Sequence, residues 1–138
     1  MLTTSGGWLL LVAVLAPFLG VLAGLALGGR NAQRVAMLTL PIGLAAAGGI
    51  GWTLLQSGDT VVYLLGGWAP PLGIALRADG LSAGMLLAVA VVVCGIGAYA
   101  RADFGSVAGE PEQRASFVYW LLLLAVWGSL NLVFVSGD

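Results

Sequence analysis

The sequence predicts an all-α integral membrane protein with four transmembrane helices and a short extracellular-side β-hairpin between the second and third helices. The first observation behind this fold class is composition. Of 138 residues, 60% are hydrophobic and 8% are charged, with a mean hydropathy of +1.05, whereas soluble domains are charged at about a quarter of their positions. The second is a set of four long apolar stretches without Asp, Glu, Lys or Arg. The third is a β-prone segment interrupted by Gly and Pro.

Each apolar stretch is long enough to cross a bilayer, because about 20 helical residues span about 30 Å of hydrocarbon. In lipid the backbone polar groups must be satisfied within the segment, so we expect each stretch to be a helix. The predicted helices cover residues 8–27, 35–55, 81–99 and 116–135 of one membrane domain, 1–138.

The hairpin is predicted over residues 60–77. A β-prone run at 61–65 is followed by a turn containing Trp68, Pro70 and Pro71, after which apolar residues alternate with small or charged ones. An isolated two-stranded hairpin is marginally stable in water. We therefore expect this one to lie flat on the membrane face or to dock against a partner chain.

The arginines predict the orientation. Arg30 and Arg34 lie between helices one and two, and Arg101 and Arg114 lie between helices three and four, while Arg77 alone lies on the other side. Because positively charged loops stay in the cytoplasm, both termini are predicted to be on the outer side.

Charge and residue content exclude several function classes. The net charge is −1 and the chain contains no His, so no nucleic acid partner, metal site, cofactor site or catalytic residue is predicted. The single cysteine, Cys94, lies among apolar residues and is interpreted as an inert thiol. Because intramembrane ion relays depend on ionisable side chains, the four helices alone are not expected to pump protons or exchange cations.

Small residues recur at helical spacing in the first two helices. Gly20, Gly24 and Gly28 are four residues apart, and Gly43 and Gly51 line one face of the second helix. Such spacing lets helix backbones approach closely. The alternative is composition alone, because the chain contains 22 glycines.

Three polar residues have predicted structural roles. Asn131 is expected to form an interhelical hydrogen bond worth about 0.6–2 kcal/mol, and a position in a water pathway is the alternative. Asp79 precedes helix three and is predicted to cap it, the alternative being an ion-entry group. Arg77 lies two residues before Asp79 and is expected to pair weakly with it.

Two stretches resemble a known family. Residues 63–84, YLLGGWAPPLGIALRADGLSAG, and residues 129–138, SLNLVFVSGD, resemble the proton-conducting antiporter-like membrane subunits. This family includes the D subunit of Mrp-type sodium/proton antiporters, the antiporter-like subunits of complex I and related membrane-bound hydrogenase subunits. The first stretch contains a turn, a strand and a helix cap in order, and is the more specific of the two.

The resemblance implies a prokaryotic plasma (inner) membrane location and further helices that carry a functional Glu and functional Lys residues. No residue of this chain corresponds to them, and the chain stops at Asp138, where the Glu-bearing helix would follow. Either a partner chain continues from Asp138, or the four helices form an accessory subunit.

The sequence therefore predicts a non-catalytic or split N-terminal subunit of a multisubunit ion-translocating complex. Its expected partners are the lipid bilayer and other membrane subunits, notably a polytopic chain with the Glu- and Lys-bearing helices. The alternative is a structural four-helix scaffold or assembly protein without a transport role.

Overall fold

The structure is a computed structural model that describes residues 3–104 and 110–136. Four helices in it are long and apolar enough to cross a membrane, as the sequence predicts. They are α1 (Trp8–Leu27), α2 (Asn31–Ser57), α3 (Gly80–Phe104) and α4 (Glu110–Val135), and two strands, β1 (Val61–Leu64) and β2 (Ala75–Ala78), lie between α2 and α3.

Three helices are longer than predicted. The predicted start of α2 at residue 35 moves to Asn31, the predicted end of α3 at residue 99 moves to Phe104, and the predicted start of α4 at residue 116 moves to Glu110. A helix satisfies its own backbone hydrogen bonds in water as well as in lipid, so it continues through Arg34 and Arg101 into the polar region. At 1.5 Å per residue, 25 residues rise about 38 Å, which exceeds the hydrocarbon thickness.

Helix α2 contacts all three other helices, and so does α4. On α4, the buried residues Trp120, Leu124, Trp127, Asn131 and Val135 are spaced by three or four positions, so they form one line along the helix. Helix α1 packs against α2 and α4, and α3 packs mainly against α2. The largest fully buried side chains are those of Trp120, Trp127, Leu10, Ile50, Leu86 and Leu124.

The outer surface of the bundle is strongly apolar. Leu22, Leu55 and Tyr99 are 62%, 83% and 76% exposed, and many other large apolar side chains lie beside them. Monomeric soluble proteins rarely expose such continuous apolar surface. The outside of this bundle therefore suits lipid better than water.

The two strands form an antiparallel hairpin in which Val61 pairs with Ala78 and Leu64 with Ala75. A short 3₁₀ turn at Leu65–Gly67 follows β1. Hairpin formation and its position between α2 and α3 agree with the sequence prediction. The second strand begins later than the alternating pattern suggests, because the Gly and Pro residues occupy a ten-residue connection, 65–74.

The inner face of the hairpin packs on the chain's own helices. Val61, Leu76 and Ala78 are buried in the same core as the helices. The N-terminal segment adds to this attachment, because the Thr4 backbone N–H donates to the Val62 carbonyl oxygen at 2.9 Å. The apolar side chains of the strands are thus buried against the chain's own helices, where the hairpin closes one end of the bundle. That the hairpin also lies on the membrane face or docks to a partner stays a prediction.

Candidate functional site

The side chains buried inside the bundle are almost all apolar. Among the side chains of residues 3–104 and 113–136, those of Thr39 and Asn131 are the buried polar ones, and no ionisable side chain is buried. The Thr39 hydroxyl donates to the Val35 carbonyl oxygen of its own helix at 2.8 Å. The described interior therefore holds no side chain of the type that carries protons or binds cations within membranes.

Asn131 connects two helices. Its side-chain amide Nδ2 donates to the Ala13 carbonyl oxygen of α1 at 2.8 Å, in a fully buried setting. This is an interhelical hydrogen bond of the kind that the sequence predicts. The bond is formed by one half of the amide only, because Asn131 Oδ1 has no partner among the described residues.

The buried line of α4 carries two further polar atoms without partners in the described chain, the indole nitrogens of Trp120 and Trp127. Asn131 lies one turn after Trp127, so its Oδ1 belongs to the same line. Buried polar groups without hydrogen bonds reduce stability. The net contribution of Asn131 to the stability of the bundle is therefore smaller than its hydrogen bond to Ala13 alone would suggest.

Three of the predicted glycines lie at close helix contacts. A side-chain carbon at Gly20 would lie only 2.8 Å from the Thr39 hydroxyl oxygen, and one at Gly24 would lie 2.8 Å from a leucine of α4. At Gly43 it would overlap the Trp127 indole ring. Glycine at these positions lets α1, α2 and α4 approach.

Gly28 and Gly51 differ from the prediction. Gly28 follows the last residue of α1 with φ of 65°, and its N–H donates to the Gly24 carbonyl oxygen at 2.9 Å. A side-chain carbon at either position would meet no atom within 4 Å. Gly28 thus ends a helix where few other residues adopt positive φ, and Gly51 lies on open surface within this chain.

An exposed face of small residues on α3 was not predicted. Its buried positions lie on one side of the helix, and on the other side runs a stripe, named here the α3 stripe, spaced by three and four residues. A side-chain carbon at Gly84 or Gly95 would meet no atom within 4 Å. The α3 stripe consists of four small residues, Gly84, Ala88, Gly95 and Ala98, with the larger Val91 among them, all exposed.

Bulky side chains cover the neighbouring exposed sector of the same helix. Met85, Val92 and Ile96 all lie on the outside. Lipid tails fit against such an uneven surface, whereas a second helix packs closely against small residues. Helix α3 therefore presents one face suited to lipid and one suited to another helix.

Asp79 caps α3. Its carboxylate oxygen Oδ1 accepts a hydrogen bond from the Ser82 backbone N–H at 2.8 Å. This bond is the main reason that the pKa of Asp79 lies below its ordinary value of 3.8, and the nearby Arg77 makes the smallest contribution to that lowering. Arg77 itself lies on β2, opposite Val62 and exposed.

The turn of the hairpin extends away from the bundle. Trp68, Pro70 and Pro71 are all exposed, with a cis bond between the two prolines. The turn is held by its own backbone, because the Gly73 N–H donates to the Ala69 carbonyl oxygen at 3.2 Å. The predicted junction residue, Asp138, lies outside the described residues.

A polar cavity opens at the other end of the bundle. It has a volume of about 720 Å³, and arginines from two helices line it together with amide side chains. From the sequence these arginines predict orientation only, because their convergence depends on how α2 and α3 pack. The polar lining includes Arg30, Gln33, Arg34, Arg101 and Gln113.

No protein-family model matches this chain, and no curated protein matches it. The resemblance of residues 63–84 and 129–138 to antiporter-like membrane subunits therefore stays a prediction.

Proposed function

We propose that this chain is an integral membrane subunit of a multisubunit ion-translocating complex of the Mrp-type antiporter, complex I-like or membrane hydrogenase-like kind. In this proposal the chain does not carry the ion path itself. It packs beside a partner chain that contributes the Glu- and Lys-bearing helices. The observation that carries the proposal is the described interior, whose buried polar side chains are those of Thr39 and Asn131.

The apolar interior favours a structural role for this chain over an ion-conducting one. Proton and cation paths through membranes use ionisable side chains or water-filled cavities. The described core instead consists of apolar side chains, the largest of them tryptophan and leucine. A path for ions would then lie in a neighbouring subunit, as the resemblance implies.

The proposed location is the plasma membrane of a prokaryote, with both termini and the hairpin on the outer side. The four long apolar helices support membrane insertion. Arg30, Arg34, Arg101 and Arg114 lie at the end of the bundle opposite the hairpin, which supports a cytoplasmic position for that end.

The α3 stripe is the proposed contact with the partner. Small residues permit close backbone approach, and helix association in membranes depends on such packing. Within the described residues nothing covers Gly84 or Gly95. A helix of the partner chain would fill this face.

Co-purification tests the proposal. The tagged full chain is extracted from its native membrane in mild detergent, and the proteins recovered with it are identified by mass spectrometry. A polytopic partner with a Glu-bearing helix is the expected result. Recovery of the chain alone, or of proteins without ionisable intramembrane residues, would favour the structural scaffold or assembly protein.

Variants of α3 make the test specific. Gly84→Leu with Gly95→Leu adds two side chains to open surface, so the chain should fold normally while the partner is lost. The matched control is Val92→Phe, which adds volume to the bulky, exposed sector of the same helix and should retain the partner. Equal recovery of the partner with both variants would show that the α3 stripe is not the interface.

A transport measurement separates the two roles. The chain reconstituted alone in liposomes should not exchange protons for sodium or potassium, and the co-purified complex should do so. Exchange by the chain alone would disprove a non-conducting subunit.

A further inference from the structure

Three arginines, Arg30, Arg34 and Arg101, line the polar cavity and give it positive charge. Arg30 and Arg34 are one turn apart at the start of α2, and Arg101 comes from the last turn of α3. Guanidinium groups bind phosphate and carboxylate oxygens through paired hydrogen bonds. The first turn of α2 contains no acidic residue, so its positive dipole end adds to the attraction.

An apolar groove adjoins this cavity. It lies between α1 and α2, has a volume of about 550 Å³ and is lined by aliphatic side chains and Thr39. Its lining runs from Leu11 to Ala23 along α1, a rise of about 18 Å. The groove is open to the outside of the bundle, where Leu19 is 58% exposed.

The cavity and the groove meet at Leu38. This side chain lines both of them and is 68% exposed. An anion site and an apolar groove that share one residue match a ligand with a charged head and a hydrocarbon tail. A free phosphate ion or an acidic peptide would fill the cavity and leave the groove uncovered.

We propose that this junction binds an anionic phospholipid. The phosphate lies against Arg30 and Arg34, and one acyl chain passes over Leu38 into the groove. Arg101 closes the far side of the headgroup cavity. This inference requires the chain to lie in a bilayer, but it does not require an ion-translocating partner.

Lipid binding to the purified full chain in neutral detergent tests the headgroup site. Native mass spectrometry follows the titration with phosphatidylglycerol or with phosphatidylcholine. The wild-type chain should bind phosphatidylglycerol more tightly. Because one basic residue near an anionic lipid changes affinity about fivefold, Arg30→Gln with Arg34→Gln should weaken phosphatidylglycerol binding about 25-fold and leave phosphatidylcholine binding unchanged.

Arg77→Gln is the matched control, since Arg77 is exposed at the hairpin end. Its phosphatidylglycerol affinity should stay at the wild-type value. Equal binding of the two lipids by the wild-type chain would overturn the proposal. So would an equal loss in Arg77→Gln and the double variant, since that would reflect the overall charge of the protein.

The groove is tested separately with two exposed leucines of α2. Leu38→Gln should lower phosphatidylglycerol affinity about fivefold by removing apolar contact with the acyl chain, whereas Leu55→Gln should not. Inorganic phosphate should fail to displace the lipid. Displacement of the lipid by phosphate would show that the cavity binds phosphate alone. Equal lipid affinities of the two leucine variants would show that the groove does not bind an acyl chain, and either result would overturn phospholipid binding. Lipid binding without a co-purified partner would uphold this inference while the proposed function fails.

Discussion

The glycines of α1 and α2 and the glycines of α3 all lie within apolar helices, but their surroundings in the structure are opposite. Gly20 and Gly43 lie where neighbouring helices leave no room for a side chain, whereas Gly84 and Gly95 have no neighbour within 4 Å of such a side chain. The first pair is used for packing within the chain. The second pair makes a helix-compatible surface that the chain itself does not cover.

This difference shows that small-residue spacing predicts close approach without identifying the partner. A stripe of glycine and alanine can be used inside one chain or between chains. Only the fold decides, because the rotation of each helix determines which of its faces is buried. Substitutions at the two kinds of glycine therefore have opposite expected effects on stability.

The largest effect is expected for Gly43→Ala. The added methyl group would overlap the Trp127 ring, and overpacking of this kind typically costs about 1–3 kcal/mol. The measurement is the free energy of unfolding in mixed micelles, titrated with a denaturing detergent and followed by circular dichroism. Wild-type stability in Gly43→Ala would show that α2 and α4 separate easily at this contact.

Gly95→Ala should act in the opposite direction. Nothing obstructs the new methyl group, and alanine is favoured over glycine inside a helix by about 0.5–1 kcal/mol. The isolated chain should therefore become slightly more stable in the same unfolding titration. A loss of stability would mean that the outer face of α3 is packed within the chain.

Asn131→Leu is expected to have a smaller effect than Gly43→Ala. The substitution removes the hydrogen bond to the Ala13 carbonyl oxygen, and interhelical hydrogen bonds average about 0.6 kcal/mol in membranes. It also removes the partnerless Oδ1 atom, which offsets part of the loss. The control is Ser129→Ala, whose exposed hydroxyl bonds only within its own helix; a loss well above 1 kcal/mol would show that Asn131 has further partners.

Much of this fold follows from local sequence signals. The four helices follow from uninterrupted apolar stretches, and the hairpin follows from a β-prone run beside a Gly and Pro cluster. Helix ends are less well predicted. The apolar stretch beginning at residue 35 contains no information that the helix starts at Asn31, because polar residues beyond the hydrocarbon remain helical.

The contacts between helices are only partly predictable. Gly24 and Gly28 belong to the same four-residue spacing, yet Gly24 packs against α4 and Gly28 ends α1. The α3 stripe was missed because it mixes glycine with Ala88 and Val91, so no glycine repeat marks it. The arginine cavity was missed because Arg34 and Arg101 are distant in sequence and meet only through packing.

The smallest effect on stability is expected at Asp79, which caps α3 through a hydrogen bond to the first turn of the same helix. The pKa of Asp79 lies below its ordinary value of 3.8, mainly because its carboxylate accepts from the Ser82 N–H. A lowered folded-state pKa means that the cap adds stability above the unfolded-state pKa, and that this stability is lost as the pH falls through the folded-state pKa. Asp79→Asn keeps a capping oxygen but cannot titrate.

The wild-type chain should therefore lose more thermal stability than Asp79→Asn when the pH is lowered from about 6 to about 3. Comparing the two chains cancels the titration of the other acidic residues, and thermal unfolding in detergent followed by circular dichroism measures the difference. The difference should be small, since the carboxylate is exposed to solvent that screens its interactions. Identical pH dependence in the two chains would mean that the Asp79 carboxylate contributes nothing as a charge and that the start of α3 is held by its packing against the bundle.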